Sequence, residues 1–79
     1  MNKAVTLSDI AVGESCFVRE LHTAGSMRRR LLDIGFTSNT KVTCLGRSPA
    51  GDPSAYLVCG AVIALRAADA EGIEVFYGA

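Results

Sequence analysis

The constraint that most shapes this chain is interruption. Its β-forming stretches are short, and glycine, serine, asparagine or proline cuts each one off before it can lengthen. The stretches that stand out are Ser15 to Leu21, Lys41 to Arg47, Ala55 to Cys59, Ala61 to Arg66 and Ile73 to Tyr77. Only Ser26 to Ile34 carries apolar residues at helical spacing, with Met27, Leu31 and Ile34 on one stripe and Leu32 beside it. Ser26 is its candidate N-cap, Gly35 is placed to end it in a left-handed conformation, and Phe36 follows as an apolar clasp. Leu7 and Ile10 anchor a single turn near the start, and Ala67 to Glu71 reads as another. Short strands with a turn every few residues predict a mainly β fold, a small closed barrel of about five strands, with the helix inserted after the first. Closure would remove the unpaired edges of so small a sheet.

Alternation assigns the faces. It puts Cys16 and Val18 on one side of the first strand and Phe17, Arg19 and Leu21 on the other. Val42 and Cys44 share a face, as do Tyr56 and Val58. Asn39 is a turn residue that tolerates positive φ. Gly60, alone between the third and fourth stretches, predicts a tight hairpin or a sharply bent strand.

At 79 residues the chain makes one domain, residues 1–79, with residues 1–5 expected to be loosely ordered. Eight basic and eight acidic side chains sum to zero, which argues against a nucleic-acid partner held by bulk electrostatics. The five aromatics are scattered and read as core or strand-end residues. Cys16, Cys44 and Cys59 form no C-x-x-C pair, so they read as small hydrophobes of a reducing compartment. Glu20 and His22, two apart, would supply two ligands to a metal, short of a closed set. No nucleophile–base motif and no phosphate-binding loop is present, so a non-enzymatic protein without a cofactor or metal is expected. No apolar run is long enough for a signal peptide or a membrane span, which predicts a cytoplasmic location with membrane contact only through a partner.

The sharpest local feature is Arg28-Arg29-Arg30 at the helix start, where positive charge opposes the helix dipole. Successive helical residues point about 100° apart, so the three do not make one patch by themselves. A local cost without a local gain points to docking on an acidic partner surface, with Arg28, Arg29 and Arg30 as the partner-binding residues. Arg29 with Asp33, and Arg66 with Asp69, are expected to pair locally. The last third carries Asp69, Glu71 and Glu74, so the zero sum hides a basic helix start and an acidic end.

Taken in order, Leu7, Gly13-Glu14, the run Met27 to Thr37 with its Leu31-Leu32-Asp33-Ile34-Gly35 ending, Thr40-Lys41-Val42, Gly51-Asp52-Pro53, Ala64-Leu65-Arg66 and Ile73-Glu74-Val75 resemble the ferrous iron transport protein A (FeoA) family from about Val5 to Tyr77. The resemblance implies an SH3-like barrel with a helical insertion. It also implies a cytosolic accessory protein of bacterial ferrous iron uptake that docks on the cytosolic part of the FeoB membrane transporter. A related domain ends metal-dependent repressors, which leaves a regulatory module as an alternative; a soluble metal carrier or sensor using the cysteines, Glu20 and His22 is another. The family often has Pro-Gly where this chain has Ser38-Asn39, and polar residues where it has Leu57, Cys59, Ala61 and Val62. That apolar surface suggests an interface with the transporter or with a second copy in a homo-oligomer.

Overall fold

The computed structural model describes residues 5–78. A 3-10 turn, Leu7–Asp9, leads into β1 (Ser15–Leu21), α1 (Gly25–Ile34), β2 (Lys41–Arg47), β3 (Ser54–Val58), β4 (Ala61–Leu65), α2 (Ala67–Ala70) and β5 (Ile73–Phe76). The strands form one antiparallel sheet in the order β4-β3-β2-β1-β5. The expected mainly β architecture, with a helix inserted after the first strand, is what the chain adopts. The looseness expected of residues 1–5 lies, for 1–4, outside the described residues; the Val5 carbonyl accepts the Val75 N–H at 2.9 Å.

Each connection has a local cause. The Asp9 carboxylate accepts the Thr6 N–H at 2.9 Å and fixes the opening turn, which buries Leu7 and Ile10 completely. The β3–β4 link is a two-residue hairpin: Cys59 (φ 50°) and Gly60 (φ 78°) are both left-handed, as a turn matching the strands' twist requires. Asn39 takes φ 70°, and its N–H reaches the Val18 carbonyl at 2.7 Å.

Two bulges correct the simple alternation. Val18 pairs with Val75 and Glu20 with Glu74, so Arg19 is an extra residue in β1. Leu21, expected on the outer face, is thereby turned into the core and is buried. A second irregularity between Cys44 and Gly46 leaves Leu45 exposed on β2.

One core joins the opening turn, α1 and all the strands: Leu7, Ile10, Val18, Leu31, Phe36, Val42, Tyr56, Val58 and Ile73 are essentially inaccessible. Cys16 and Cys44 sit among them as free thiols, as small hydrophobes would. Arg47 straps the rim, donating to the Ile10 carbonyl and, at 2.9 Å, to the Ser54 hydroxyl.

Closure, however, is not by hydrogen bonds. Among the described residues β4 and β5 do not pair, and the barrel is completed by packing of α1 and side chains of the strands into the shared core. The two edges differ. β5 is covered by the Thr6–Glu74 bridge and the Val5–Val75 bond, whereas β4 has β3 on one side and, among the described residues, no strand on the other.

Candidate functional site

The arginine run occupies the fourth to sixth of the ten residues of α1, past the first turn where positive charge most opposes the helix dipole. The cap lies two residues earlier than Ser26: Ala24 occupies the cap position in extended conformation, with no side-chain cap, and Ser26 lies inside. The His22 N–H and the Thr23 hydroxyl both reach the Gly72 carbonyl, at 2.7 and 3.5 Å, which ties the chain to the sheet just before it turns into the helix. At the far end, Gly35 (φ 127°) and Phe36 close α1 by donating to the Leu32 and Leu31 carbonyls, at 3.1 and 3.0 Å. Phe36 and Leu31 are both fully buried, so the clasp also pins the helix to the core.

All three arginines are exposed, and each has a different setting. Arg28 Nη1 donates to the Leu21 carbonyl at 3.0 Å and so ties α1 to the end of β1. Arg28 and Arg29 border a shallow depression with Leu32 and Asp33. Arg30 points to the other flank, into a cleft of about 450 Å³ between α1, β4 and α2. Arg66, just after β4, lines the same cleft. The expected Arg29–Asp33 and Arg66–Asp69 pairs do not form; the ion pairs among the described residues are Arg19–Glu74, His22–Glu74 and His22–Glu20. Exposed pairs at helical spacing gain only about 0.2–0.5 kcal/mol, too little to hold two solvated side chains together. Arg29, Arg30 and Arg66 therefore keep their charge available. The cleft, and the place of Arg66 in it, were not visible in the sequence, because Arg30 and Arg66 are brought together only by the fold.

The other candidate ligands do not converge. His22 Nε2 lies 2.7 Å from Glu74 Oε1, while Glu20 Oε2 is 4.0 Å from Nδ1, so the carboxylates flank opposite nitrogens of the ring. The hydrogen bond to Glu74 raises the His22 pKa above its ordinary 6.5; desolvation opposes it, and the negative charges of Glu20 and Glu74 add to the rise. Glu20 and Glu74 face each other across β1–β5, and His22 and Arg19 relieve their repulsion. No group of three His, Cys, Asp or Glu side chains placed to hold a metal occurs among the described residues. Burial pushes the Cys16 thiol up to about 11, with the neighbouring Cys44 adding to it; Cys59 is exposed, its sulfur 3.8 Å from the Gly35 carbonyl.

Of the aromatics, read as core or strand-end residues, Phe36 and Tyr56 are core, whereas Phe17 and Phe76, the last residue of β5, lie outside it. Phe17 and Phe76 stack on the outer face, half-buried, with ring centroids 5.8 Å apart, and Arg19 lies 4.8 Å over Phe76. Odd positions of β1 face outward until the bulge, which is where Phe17 falls. Leu57 and Val62, paired across β3–β4, are exposed as the apolar strand surface predicted.

Comparison with known proteins places this geometry. The FeoA domain model matches residues 5–76. A curated fusion protein of Porphyromonas gingivalis, Fe(2+) transport protein A/Fe(2+) transporter FeoB, is 30% identical over 69 residues, 87% of this chain; the chain spans 8% of that protein's length. The solution structure of a FeoA protein from Chlorobium tepidum superposes with a TM-score of 0.89 at 32% identity, over 95% of this chain and 71% of that one. The crystal structure of Stenotrophomonas maltophilia FeoA complexed with zinc, described as a prokaryotic SH3 domain protein, superposes with a TM-score of 0.82 at 28% identity, over 91% of this chain and 89% of that one.

Proposed function

The chain belongs to the FeoA family of ferrous iron transport, with its SH3-like fold, and from that premise we propose that it is a non-enzymatic cytosolic accessory module that docks on the cytosolic part of a FeoB-type transporter. The observation that carries this reading is the Porphyromonas gingivalis protein, in which the related domain and the transporter share one polypeptide. Covalent fusion keeps two modules at high effective concentration, which is useful where they act together. No helix among the described residues is long and apolar enough to cross a membrane; in this reading membrane contact comes through the partner.

The docking face is the exposed arginine flank of α1. Arg29 has no carboxylate partner among the described residues, and a guanidinium fork offered to solvent suits an acidic surface. The carrier reading lacks comparable support, since Glu20 and Glu74 flank opposite ring nitrogens of His22 while Cys16 and Cys44 are buried. Calorimetric titration against the transporter's cytosolic portion tests the proposal. Saturable binding is expected, weakened about fivefold or more by Arg29→Glu, the scale of ~1 kcal/mol. Absence of binding overturns the docking reading, and unchanged affinity for Arg29→Glu removes the arginine face from it.

A further inference from the structure

β4 is the uncovered edge of the sheet. The hairpin at Cys59-Gly60 makes Val58 and Ala61 a hydrogen-bonded pair, and alternation then turns the N–H and C=O of Val62 and Ala64 away from β3. The phase agrees from the other side of the sheet. The Cys44 N–H donates to the Glu14 carbonyl at 3.0 Å, and its carbonyl accepts the Gly13 N–H at 2.8 Å, so Cys44 faces β1. Thr43 then faces β3, its partner Leu57 faces β2, and Val62, opposite Leu57, faces outward. Among the described residues, no hydrogen bond outside the sheet ladder engages Val62 or Ala64. The usual protections of an edge are missing: Ala61–Leu65 contains no charge, no proline and no bulge, and Val62 is 65% exposed.

The cleft of about 450 Å³ runs beside this edge, with α1 as its far wall. Met27, Ile34 and Ile63 give it a partly buried apolar lining. Arg30 enters from α1 and Arg66 from the end of β4, neither paired with a carboxylate among the described residues; Asp69 of α2 also lines the cleft, so its wall carries two basic groups against one acid.

We propose that the β4 edge and this cleft bind an extended segment of a partner protein in which apolar residues alternate with carboxylates. The segment adds a strand by pairing its backbone with Val62 and Ala64, sets an apolar side chain into the cleft, and presents carboxylates to Arg30 and Arg66. Charge complementarity selects an acidic segment over a second copy of β4, which has no carboxylate to offer the arginines. This deepens the docking reading and rests on it for the partner's being a protein.

The test is an amide NMR titration of the labelled protein with a short blocked peptide alternating valine and glutamate. Saturable shifts at Val62 and Ala64 are expected, together with slower exchange of both amides. The same peptide with lysine for glutamate should bind about tenfold more weakly, as should the Arg30→Glu/Arg66→Glu variant. N-methylation of the peptide's pairing amides should abolish binding with the protein itself unaltered. Absence of saturable shifts at Val62 and Ala64 overturns the inference, as does equal binding of the lysine peptide. Concentration-dependent shifts of those amides without peptide also overturn it, because a second copy then takes the edge. A negative peptide titration beside intact binding to the transporter sinks this inference alone; the reverse outcome sinks only the transporter reading.

Discussion

Single residues show how closely the helix end and the hairpin tip are fitted. A Cβ on Gly35 would stand 2.6 Å from Cys59 Sγ and 3.3 Å from Cys59 Cβ, and φ there is 127°. Gly35→Ala therefore meets a backbone penalty and a collision together, and should destabilise by about 2–4 kcal/mol in urea denaturation. Trimming the neighbour with Cys59→Ala should recover only part of that loss, because the backbone penalty stays. His22 gives a residue-scale pH dependence. Its folded pKa is raised above 6.5, chiefly by the hydrogen bond to Glu74. The associated stability is fully present below pH 6.5 and is lost as pH rises through the folded value. In Glu74→Gln the charge-assisted bond is gone, so the His22 NMR titration midpoint should fall toward 6.5 and that part of the pH dependence should flatten. A midpoint that stays put would show that Glu20, not Glu74, holds the proton.

At the scale of elements, what could be read from the sequence was what local chemistry decides. The closure of α1 is spelled by neighbours: Leu31 and Leu32 supply the carbonyls, Gly35 the backbone and Phe36 the buried clasp. The opening turn and the hairpin at Gly60 were legible for the same reason. The Arg19 bulge was not, because it is the mismatch between β1 and the distant β5 that makes one residue surplus, and strict alternation misplaced Leu21 as a result. The Ser26 cap failed because contacts to Gly72, far along the chain, set where the helix begins. The arginine run was visible, but its division of labour was not. Arg28 is partly structural, through the Leu21 carbonyl, whereas Arg29 makes no such bond. Arg28→Ala should cost about 1 kcal/mol, and Arg29→Ala should stay within about 0.5 kcal/mol, by denaturant midpoint at constant slope. Equal costs would mean that the Arg28 bond contributes nothing, and would make both residues clean probes of docking.

For the whole molecule, the zero net charge resolves into an asymmetry of surfaces. Glu74, the most connected acid, is engaged by both Arg19 and His22, so the acidic end is partly neutralised within the fold. The charges of Arg29, Arg30 and Arg66 are not neutralised by ion pairs among the described residues. The sheet has the same polarity. One edge is sealed by the chain's own Val5 and Thr6, and the other is left with outward backbone groups beside a cleft lined by two arginines and Asp69. A single small sheet with two bare edges invites aggregation, and sealing only one leaves the other for recognition. Hydrogen exchange of the free protein reads this difference directly. The Val75 amide, bonded to the Val5 carbonyl, should exchange slowly, at a rate that tracks sub-global or global opening. The Val62 and Ala64 amides should exchange at rates close to those of an unstructured chain, although their neighbours Ala61 and Ile63 are held in the β3–β4 ladder. Such alternation along one strand is the signature of an edge with nothing on its outer side. Uniform protection from Ala61 to Leu65 would mean that the edge is already occupied in solution, and a second copy of the chain would then be its first candidate.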